Sequence, residues 1–452
     1  MPMNYSSLNH ALRIPLAAEV HSRPFLRLNA PESISHLAVY AQIGAKPGGP
    51  DLATQHAMLA AFCTRFGVAA PAIDAKHFYH DFGRFRLKWE CHTEFSTYTF
   101  ARHHEEGIPV AEAFTRAPLF HVPQEWLLSL QGKIMVAAHV VLDASDTPGE
   151  QFSQDLRRIF DGNMMVGSQV LQGGEVWTDF LIQADGFSRF VVRDVGLREQ
   201  QAGRLVQRVL EIETYRMMAL LGLPYAQRAA PVLNDVEGKL ATLTAAMVDA
   251  DEAIGVTSAG KAGPAVDQEQ ALLGNITRLA ARTEKLSLDN NYRFSASQAY
   301  FQLVHARVDE LRETRIEGIP TIGEFMDRRL KPAMNTCEAV ASRQEALARR
   351  IANTNDLLRT RVGIVQEQQN RQILQSMNAR AAQQLRLQQA VEGLSVAAIS
   401  YYMVGLASYA GKALKAAGLP INMEIGTGLL VPVAAVAVWF GLQRMHRKMH
   451  AE

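Results

Sequence analysis

Apolar residues concentrate in two uninterrupted runs near the C-terminus of the chain. Residues 394–414 contain one charged residue, Lys412, and residues 425–442 contain none. A helix that crosses a bilayer needs about 20 mainly apolar residues, so the pattern predicts a transmembrane hairpin over residues 394–442. A buried hairpin of a soluble protein is the alternative. Basic residues flank both runs, which predicts that both termini and the basic tail, residues 443–452, lie in the cytoplasm.

The region before the hairpin has the pattern of long helices. Residues 334–411 contain no proline and few glycines, which predicts one continuous helix that enters the first apolar run. Its apolar stripe needs a partner, either in a helical bundle or in further copies of the chain. Residues 230–393 are therefore expected to form a helical bundle and a long stalk helix, with helices at 234–254, 268–286 and 295–314.

Residues 1–222 carry the alternating, aromatic-rich pattern of strands, and no strand pattern follows them. Gly173-Gly174 and Asp185-Gly186 mark turns, which predicts that the last three strands form an antiparallel meander. We therefore expect a cytoplasmic α+β domain whose sheet is covered by helices. The expected strands are residues 35–43, 84–101, 133–142, 164–171, 175–182 and 188–194, and the expected helices are 52–66, 150–160 and 197–221.

The strand pattern of residues 84–101 contains alternating ionisable residues at Glu90, His92 and Glu94. Side chains of a strand alternate between its faces, so these three are expected on one face if residues 89–95 are extended. Two carboxylates and an imidazole could bind a divalent cation or share a proton. The simpler alternative is a solvated polar face. Glu19 and His21 are candidates to meet this face.

Other polar residues have weaker patterns. His77 and His80 have metal-ligand spacing, but Pro71 and Gly83 enclose an expected loop. Glu211 and Tyr215 share a helix face, and structural ion pairs are the expected role of the charged residues there. No phosphate loop, dinucleotide fingerprint, HExxH or GxSxG motif is present, so an enzyme is the less expected class.

Composition excludes several classes of protein. Lys and Arg total 46 against 45 Asp and Glu, a formal net charge of +1 that does not favour nucleic acid as a partner. Hydrophobic residues make up 48% and charged residues 20%, which excludes wholesale disorder. Three isolated cysteines form neither a disulfide framework nor a zinc motif, as expected in a reducing compartment.

Small and polar residues recur along one face of the first apolar run. Small residues let helices approach closely in lipid, and hydroxyl groups can bond across the interface. This face is expected either to pack within the hairpin or to line a pore in a homo-oligomer. The candidate pore or oligomer stripe comprises Tyr401, Gly405, Ser408 and Tyr409, with Asn422 and Glu424 of the connecting loop as cation-attracting candidates.

Four motifs carry a resemblance to a bacterial family. They are EVHSRP (19–24), WECHTEF (89–95), GFSRFVVRD (186–194) and VEGLSVAAISYY (391–402). The chain resembles, along essentially its whole length, the uncharacterised membrane-anchored proteins of domain of unknown function 3422. The resemblance implies a location in the bacterial cytoplasmic (inner) membrane. The family has no assigned catalytic residues, so none carries over. Its first motif more often reads NEVHARP, from which Ala18 and Ser22 depart.

The order of elements also resembles that of CorA-type magnesium channels, which are pentamers with pore-lining long helices. Their Gly-Met-Asn signature is replaced here by Tyr409-Ala410-Gly411-Lys412. This resemblance implies an oligomeric ion channel or transporter. The alternatives are a non-conducting, membrane-anchored scaffold or ligand sensor and, third, an enzyme with a site near Glu90, His92 and Glu94.

Overall fold

A computed structural model describes residues 8–14, 16–17, 24–40, 52–105, 109–130, 132–144, 147–198, 200–256, 263–416 and 423–449. The strands are β1 (Glu32–Tyr40), β2 (His77–Asp81), β3 (Arg86–Cys91), β4 (Phe95–His103), β5 (Lys133–Asp143), β6 (Val166–Val170), β7 (Gly174–Ile182), β8 (Ser188–Asp194) and β9 (Thr314–Arg315). The α-helices are α1 (Leu52–Arg65), α2 (Val110–Ala113), α3 (Gln124–Ser129), α4 (Gly149–Ile159), α5 (Gln201–Leu220), α6 (Gly222–Val256), α7 (Gly263–Leu311), α8 (Ile322–Arg329), α9 (Lys331–Ala416) and α10 (Met423–Met449).

The nine strands of the described residues form one sheet in the order β2-β3-β4-β1-β5-β8-β7-β6-β9. Neighbouring strands are antiparallel except β5 and β8, which are parallel. The sheet therefore consists of two antiparallel parts joined along one parallel pair. The predicted meander of the last three strands is confirmed as β6, β7 and β8, and the α+β class is confirmed with it.

One face of the first antiparallel part packs on an aromatic core. Leu87 and Trp89 of β3 and Tyr98 and Phe100 of β4 are fully buried there, together with Phe62 of α1. Burial of such a side chain contributes about 2–3 kcal/mol. Because side chains alternate along a strand, the residues between them in sequence project from the opposite face, where the candidate site lies.

The predicted long helix is confirmed. Helix α9 runs without a break through the predicted 334–411, and Pro332 lies in its first turn, where proline does not disrupt hydrogen bonding. Beyond the middle of α9 its apolar side chains are exposed. Examples are Ile364, Ile373, Leu374, Met377 and Leu385.

Three local predictions are wrong. Residues 77–81 form the edge strand β2 rather than a loop, because they pair with β3. Thr314–Arg315 forms β9 in a region expected to be wholly helical, because it pairs with the edge of β6. Two helices expected over 268–314 are one helix, α7. Strand pairing, across a tight turn for β2 and with a distant strand for β9, overrides the local signals at these two positions.

The chain divides into two compact units. The first comprises Met1–Glu252 and Ile276–Thr354, and the second comprises Ala253–Asn275 and Asn355–Glu452. The boundaries expected from the sequence, at residues 222, 230, 393 and 442, stay predictions.

The expected transmembrane hairpin is not supported. Among the described residues, one helical stretch, Ile322–Ala413, is long and apolar enough to cross a membrane. Its most apolar window has a mean hydropathy of 1.4 and is 6% buried. Helix α10 contributes a shorter apolar stretch among the described residues, Gly428–Gly441, which by itself is below the length that crossing requires.

Candidate functional site

A cavity of about 260 Å³ lies between the polar face of the sheet and helix α5. It belongs entirely to the first compact unit. Its walls mix apolar and ionisable side chains, as small-molecule sites do. The polar lining residues are His36, Lys88, Glu90, His92, Thr97, Thr99, Gln207, Glu211, Thr214, Tyr215 and Arg307.

The register of three strands builds the polar wall. Thr99 of β4 lies opposite both His36 of β1 and Lys88 of β3, and Thr97 lies opposite Glu90. Residues directly opposite one another share a face of the sheet. The neighbouring residues in sequence point into the aromatic core, so alternation directs these five side chains toward α5.

A chain of charged hydrogen bonds crosses the cavity wall. Lys88 Nζ lies 3.1 Å from Glu90 Oε2 and donates to Gln207 Oε1 at 3.4 Å. Gln207 Nε2 donates to Glu211 Oε1 at 2.7 Å, and the other Glu211 oxygen accepts from Arg307 Nε. The Lys88 side chain is only 6% exposed. A buried charge is costly unless it is paired, and this wall pairs both of its cations.

His36 lies beneath this chain as a neutral, fully buried imidazole. Its Nδ1 is 2.8 Å from Thr99 Oγ1, and its Nε2 is 3.2 Å from Thr214 Oγ1. Burial, together with the neighbouring Lys88 and His92, lowers the pKa of His36 to about 3. The ring therefore supplies hydrogen bonds rather than charge near neutral pH.

The opposite wall depends on a close contact between backbone segments. A Cβ placed on Gly203 of α5 would lie 1.9 Å from the carbonyl oxygen of Leu26. Only glycine allows this approach. Leu26 and Leu28 thereby become part of the lining, beside Phe95 and Leu210.

A second, more open pocket of about 220 Å³ shares Gln207, Glu211 and Arg307 with the cavity. Arg307 Nη1 donates to Glu310 Oε1 at 2.7 Å, and Arg208 Nε donates to Glu310 Oε2 at 2.8 Å. The charge chain therefore continues into this pocket. Pro24 and Phe25, which follow the predicted candidates Glu19 and His21, also line it. Glu19 and His21 lie outside the described residues.

The prediction of one strand over residues 89–95 is wrong. Strand β3 ends at Cys91 and β4 begins at Phe95, and the His92 N–H donates to the Phe95 carbonyl at 2.8 Å to close the hairpin. The turn separates the three predicted residues. Glu90 and His92 line the cavity, whereas Glu94 does not.

Glu94 instead forms a buried ion pair with Arg293 of α7. Both side chains are 5% exposed. Burial and the nearby Glu94 carboxylate raise the pKa of the Tyr300 hydroxyl. Among the described residues, no three His, Cys, Asp or Glu side chains are arranged to hold a metal ion. A divalent cation at Glu90, His92 and Glu94 stays a prediction, now with Glu94 held by an arginine.

The candidate pore or oligomer stripe lies on α9. Tyr401 and Tyr409 are exposed, whereas Gly405 and Ser408 are half-buried. Lys412 Nζ lies 5.6 Å from the centre of the Tyr409 ring. Asn422 and the side chain of Glu424 lie outside what the structure describes. The role of the stripe stays a prediction.

Sequence reasoning missed several residues of the cavity. Lys88 lies two residues before Glu90 in β3, and Thr97 and Thr99 have the same two-residue spacing in β4. This polar alternation could have predicted that all three lie on the face of Glu90. No local pattern predicts His36 or Arg307, because pairing and packing across long stretches of chain bring them to the site.

Comparison with known proteins locates the chain in a family. No curated protein and no solved structure matches it, and nothing in these comparisons supports the resemblance to CorA-type channels. The model of a family described as "Protein of unknown function (DUF3422)" matches residues 8–449. Because that match covers nearly the whole sequence, the chain belongs to the DUF3422 family.

Proposed function

We propose that this protein binds a small zwitterionic molecule, of the size and charge of an amino acid, in the cavity beneath α5. The observation that carries the proposal is the presence of two ion pairs, Lys88 with Glu90 and Arg307 with Glu211, in the wall of one cavity. A pocket with apolar walls and a few convergent polar groups is the usual location of a small-molecule site.

The charges of the wall select the class of ligand. The two cations and two carboxylates cancel, and His36 is neutral. A ligand with a net charge would leave a buried charge without compensation, which is costly. A zwitterion can present a carboxylate to Lys88 or Arg307 and an ammonium group to Glu90 or Glu211. Every charge then keeps an opposite partner.

The size and the apolar part of the lining support the same class. A volume of about 260 Å³ lies just below the range of drug-sized sites, roughly 300–1,000 Å³. Leu26, Leu28, Phe95 and Leu210 offer an apolar wall for an aliphatic or aromatic group. A small amphipathic ligand therefore fits better than a nucleotide or a polymer.

In this proposal the protein is a membrane-anchored ligand sensor rather than an ion channel. The exposed apolar window of Ile322–Ala413 supports attachment to a bilayer. The exposed apolar residues of α9 support association into a homo-oligomer. A location in the bacterial cytoplasmic membrane, with α10 as a second span and both termini in the cytoplasm, is part of the proposal.

Ligand binding can be tested with the full chain in detergent. The 20 standard amino acids serve as probes in thermal-shift assays, and any that raises the melting temperature is then titrated by calorimetry. The test variant carries Lys88→Met and Glu90→Leu together, because removing one partner would leave the other charge buried and unpaired. We expect at least one probe to stabilise the wild type and to lose at least tenfold in affinity for the variant.

The matched control is Lys285→Met, which removes an exposed lysine of α7 and should leave binding unchanged. Absence of stabilisation by every amino acid, or equal binding to the double variant, would contradict the proposal.

Attachment to the membrane is tested separately by deleting residues 394–452. The shortened chain should move to the soluble fraction, and retention in membranes would contradict the anchor. Ion flux in proteoliposomes of the full chain would favour the channel instead.

A further inference from the structure

An open groove of about 860 Å³ lies elsewhere in the first unit, where the β2–β3 hairpin, the end of β4 and the segment after residue 109 meet. It shares no lining residue with the cavity beneath α5. We call it the arginine groove. Its ionisable lining residues are Arg84, Arg86, Arg102, Arg116, His103, His104, His121, Asp81, Glu105 and Glu112.

Among the described residues, three of the four guanidinium groups of the arginine groove have no ion-pair partner. Arg86 is neutralised by Glu32. Within the part of the chain that the structure describes, Arg84, Arg102 and Arg116 form no ion pair. Like charges that line one groove without an ion-pair partner repel one another, which is unfavourable for folding alone.

The acidic residues at the border of the groove form no ion pair with these arginines among the described residues. Asp81 accepts a hydrogen bond from the Gly83 N–H at 2.8 Å, and Glu105 and Glu112 are exposed and form no ion pair with a described residue. Arg84 and Arg116 are therefore available to an external anion, together with the donors of Arg102 that do not bond His121.

The histidines of the groove report a positive local field. Burial lowers the pKa of His104, and Arg102 and Arg116 lower it further. Burial, Arg102 and Arg84 lower the pKa of His121 in the same way. Arg102 Nη1 donates to His121 Nε2 at 2.6 Å, so this imidazole is an acceptor and holds the guanidinium in position.

We propose that the arginine groove binds the phosphate group of a small phosphorylated molecule. A guanidinium group donates two parallel hydrogen bonds to phosphate, and a dianionic phosphate has enough oxygens to accept from Arg84, Arg102 and Arg116 together. The bordering acidic residues would repel a polyanion such as nucleic acid, whereas a single phosphate reaches the arginines at lower cost. This site is independent of the ligand proposed for the cavity.

The experiment titrates inorganic phosphate and pyrophosphate into the full chain by calorimetry, at constant ionic strength maintained with sodium chloride. The test variant carries Arg84→Gln and Arg116→Gln. Both side chains are exposed and unpaired among the described residues, so the variant should fold, and a melting curve checks this. We expect the wild type to bind and the variant to lose at least tenfold in affinity. The control Arg349→Gln removes an arginine that is 69% exposed on α9 and should bind as the wild type does.

The proposal is overturned by no binding of either anion or by equal binding by the double variant. Tighter binding of a short oligothymidylate than of pyrophosphate also overturns it, in favour of nucleic acid. Glycerol 3-phosphate and a short-chain phosphatidic acid then separate two sources of the same chemistry. Preference for the soluble ester supports a metabolite, and preference for the lipid supports a headgroup, with the phosphate site upheld in both cases.

Discussion

The cavity beneath α5 and the arginine groove contain similar residue types but pair them differently. In the cavity, Lys88 and Arg307 each meet a carboxylate at bonding distance. In the groove, Arg84 and Arg116 meet none among the described residues. The pairing of charges, more than their number, therefore indicates what a concave surface can bind. A wall whose cations pair with its own carboxylates suits a neutral or zwitterionic ligand, whereas cations without an ion-pair partner suit an anion.

Burial accounts for this difference. The side chain of Lys88 is almost wholly buried, so its charge requires a partner within the fold. Arg84 and Arg116 are exposed, and water and salt screen their mutual repulsion. A buried charge is therefore paired within the fold, whereas an exposed charge can stay unpaired until a ligand arrives.

The largest expected effect tests how rigidly the cavity is built. Gly203→Ala should lower the free energy of unfolding by about 3 kcal/mol, because the new methyl group would overlap the Leu26 carbonyl oxygen and force the backbone to move. Chemical denaturation measures the change. The control is Gly238→Ala in α6, where a Cβ would meet no atom within 4 Å; it should stabilise by roughly 0.5–1 kcal/mol. Equal effects of the two variants would show that the close contact does not constrain the cavity.

A smaller effect concerns the neutral imidazole beneath the cavity. Because the pKa of His36 falls from 6.5 to about 3 on folding, the folded chain binds fewer protons than the unfolded chain between these values. The contribution of neutral His36 to the free energy of unfolding is complete above about pH 6.5 and is lost as pH falls. From about pH 7 to about pH 5 the loss is on the order of 2 kcal/mol, measured by urea unfolding.

The His36→Gln variant separates this contribution from those of other histidines. His139 acts in the same direction, since burial lowers its pKa to about 4. Plots of the free energy of unfolding against pH for the wild type and for His36→Gln should converge as pH falls from about 7 to 5, because only the wild type loses the contribution of His36. Plots that remain parallel would rule out a neutral, buried His36.

The smallest expected effect belongs to the arginine groove. In the absence of phosphate, Arg84→Gln should leave the free energy of unfolding within about 0.5 kcal/mol of wild type, because the side chain is exposed and unpaired. Any change should be stabilising, since a repulsion is removed, and it should shrink as salt is added. A clear destabilisation at low salt would show that Arg84 is paired in solution, which would remove the contrast between groove and cavity.

Much of the architecture followed from local patterns. The meander β6–β8, the helices α1, α4 and α5, and the long helix α9 all lie where periodicity and turn residues predicted them. In these segments the local pattern and the final fold agree. The short strands β2 and β9 were not predicted from local patterns. Strand β2 is stabilised by pairing with β3 across a turn, and β9 by pairing with β6, which is distant in sequence.

The sequence by itself determined that Glu90 and its neighbours on alternating positions form a polar face, because the period of a strand is a local property. Only the tertiary structure decided which of these residues share a site. The turn after Cys91 directs Glu94 to Arg293, and the packing of α5 and α7 brings Glu211 and Arg307 to the cavity. Such contacts depend on how distant segments pack, and neither spacing nor composition of a single segment encodes that.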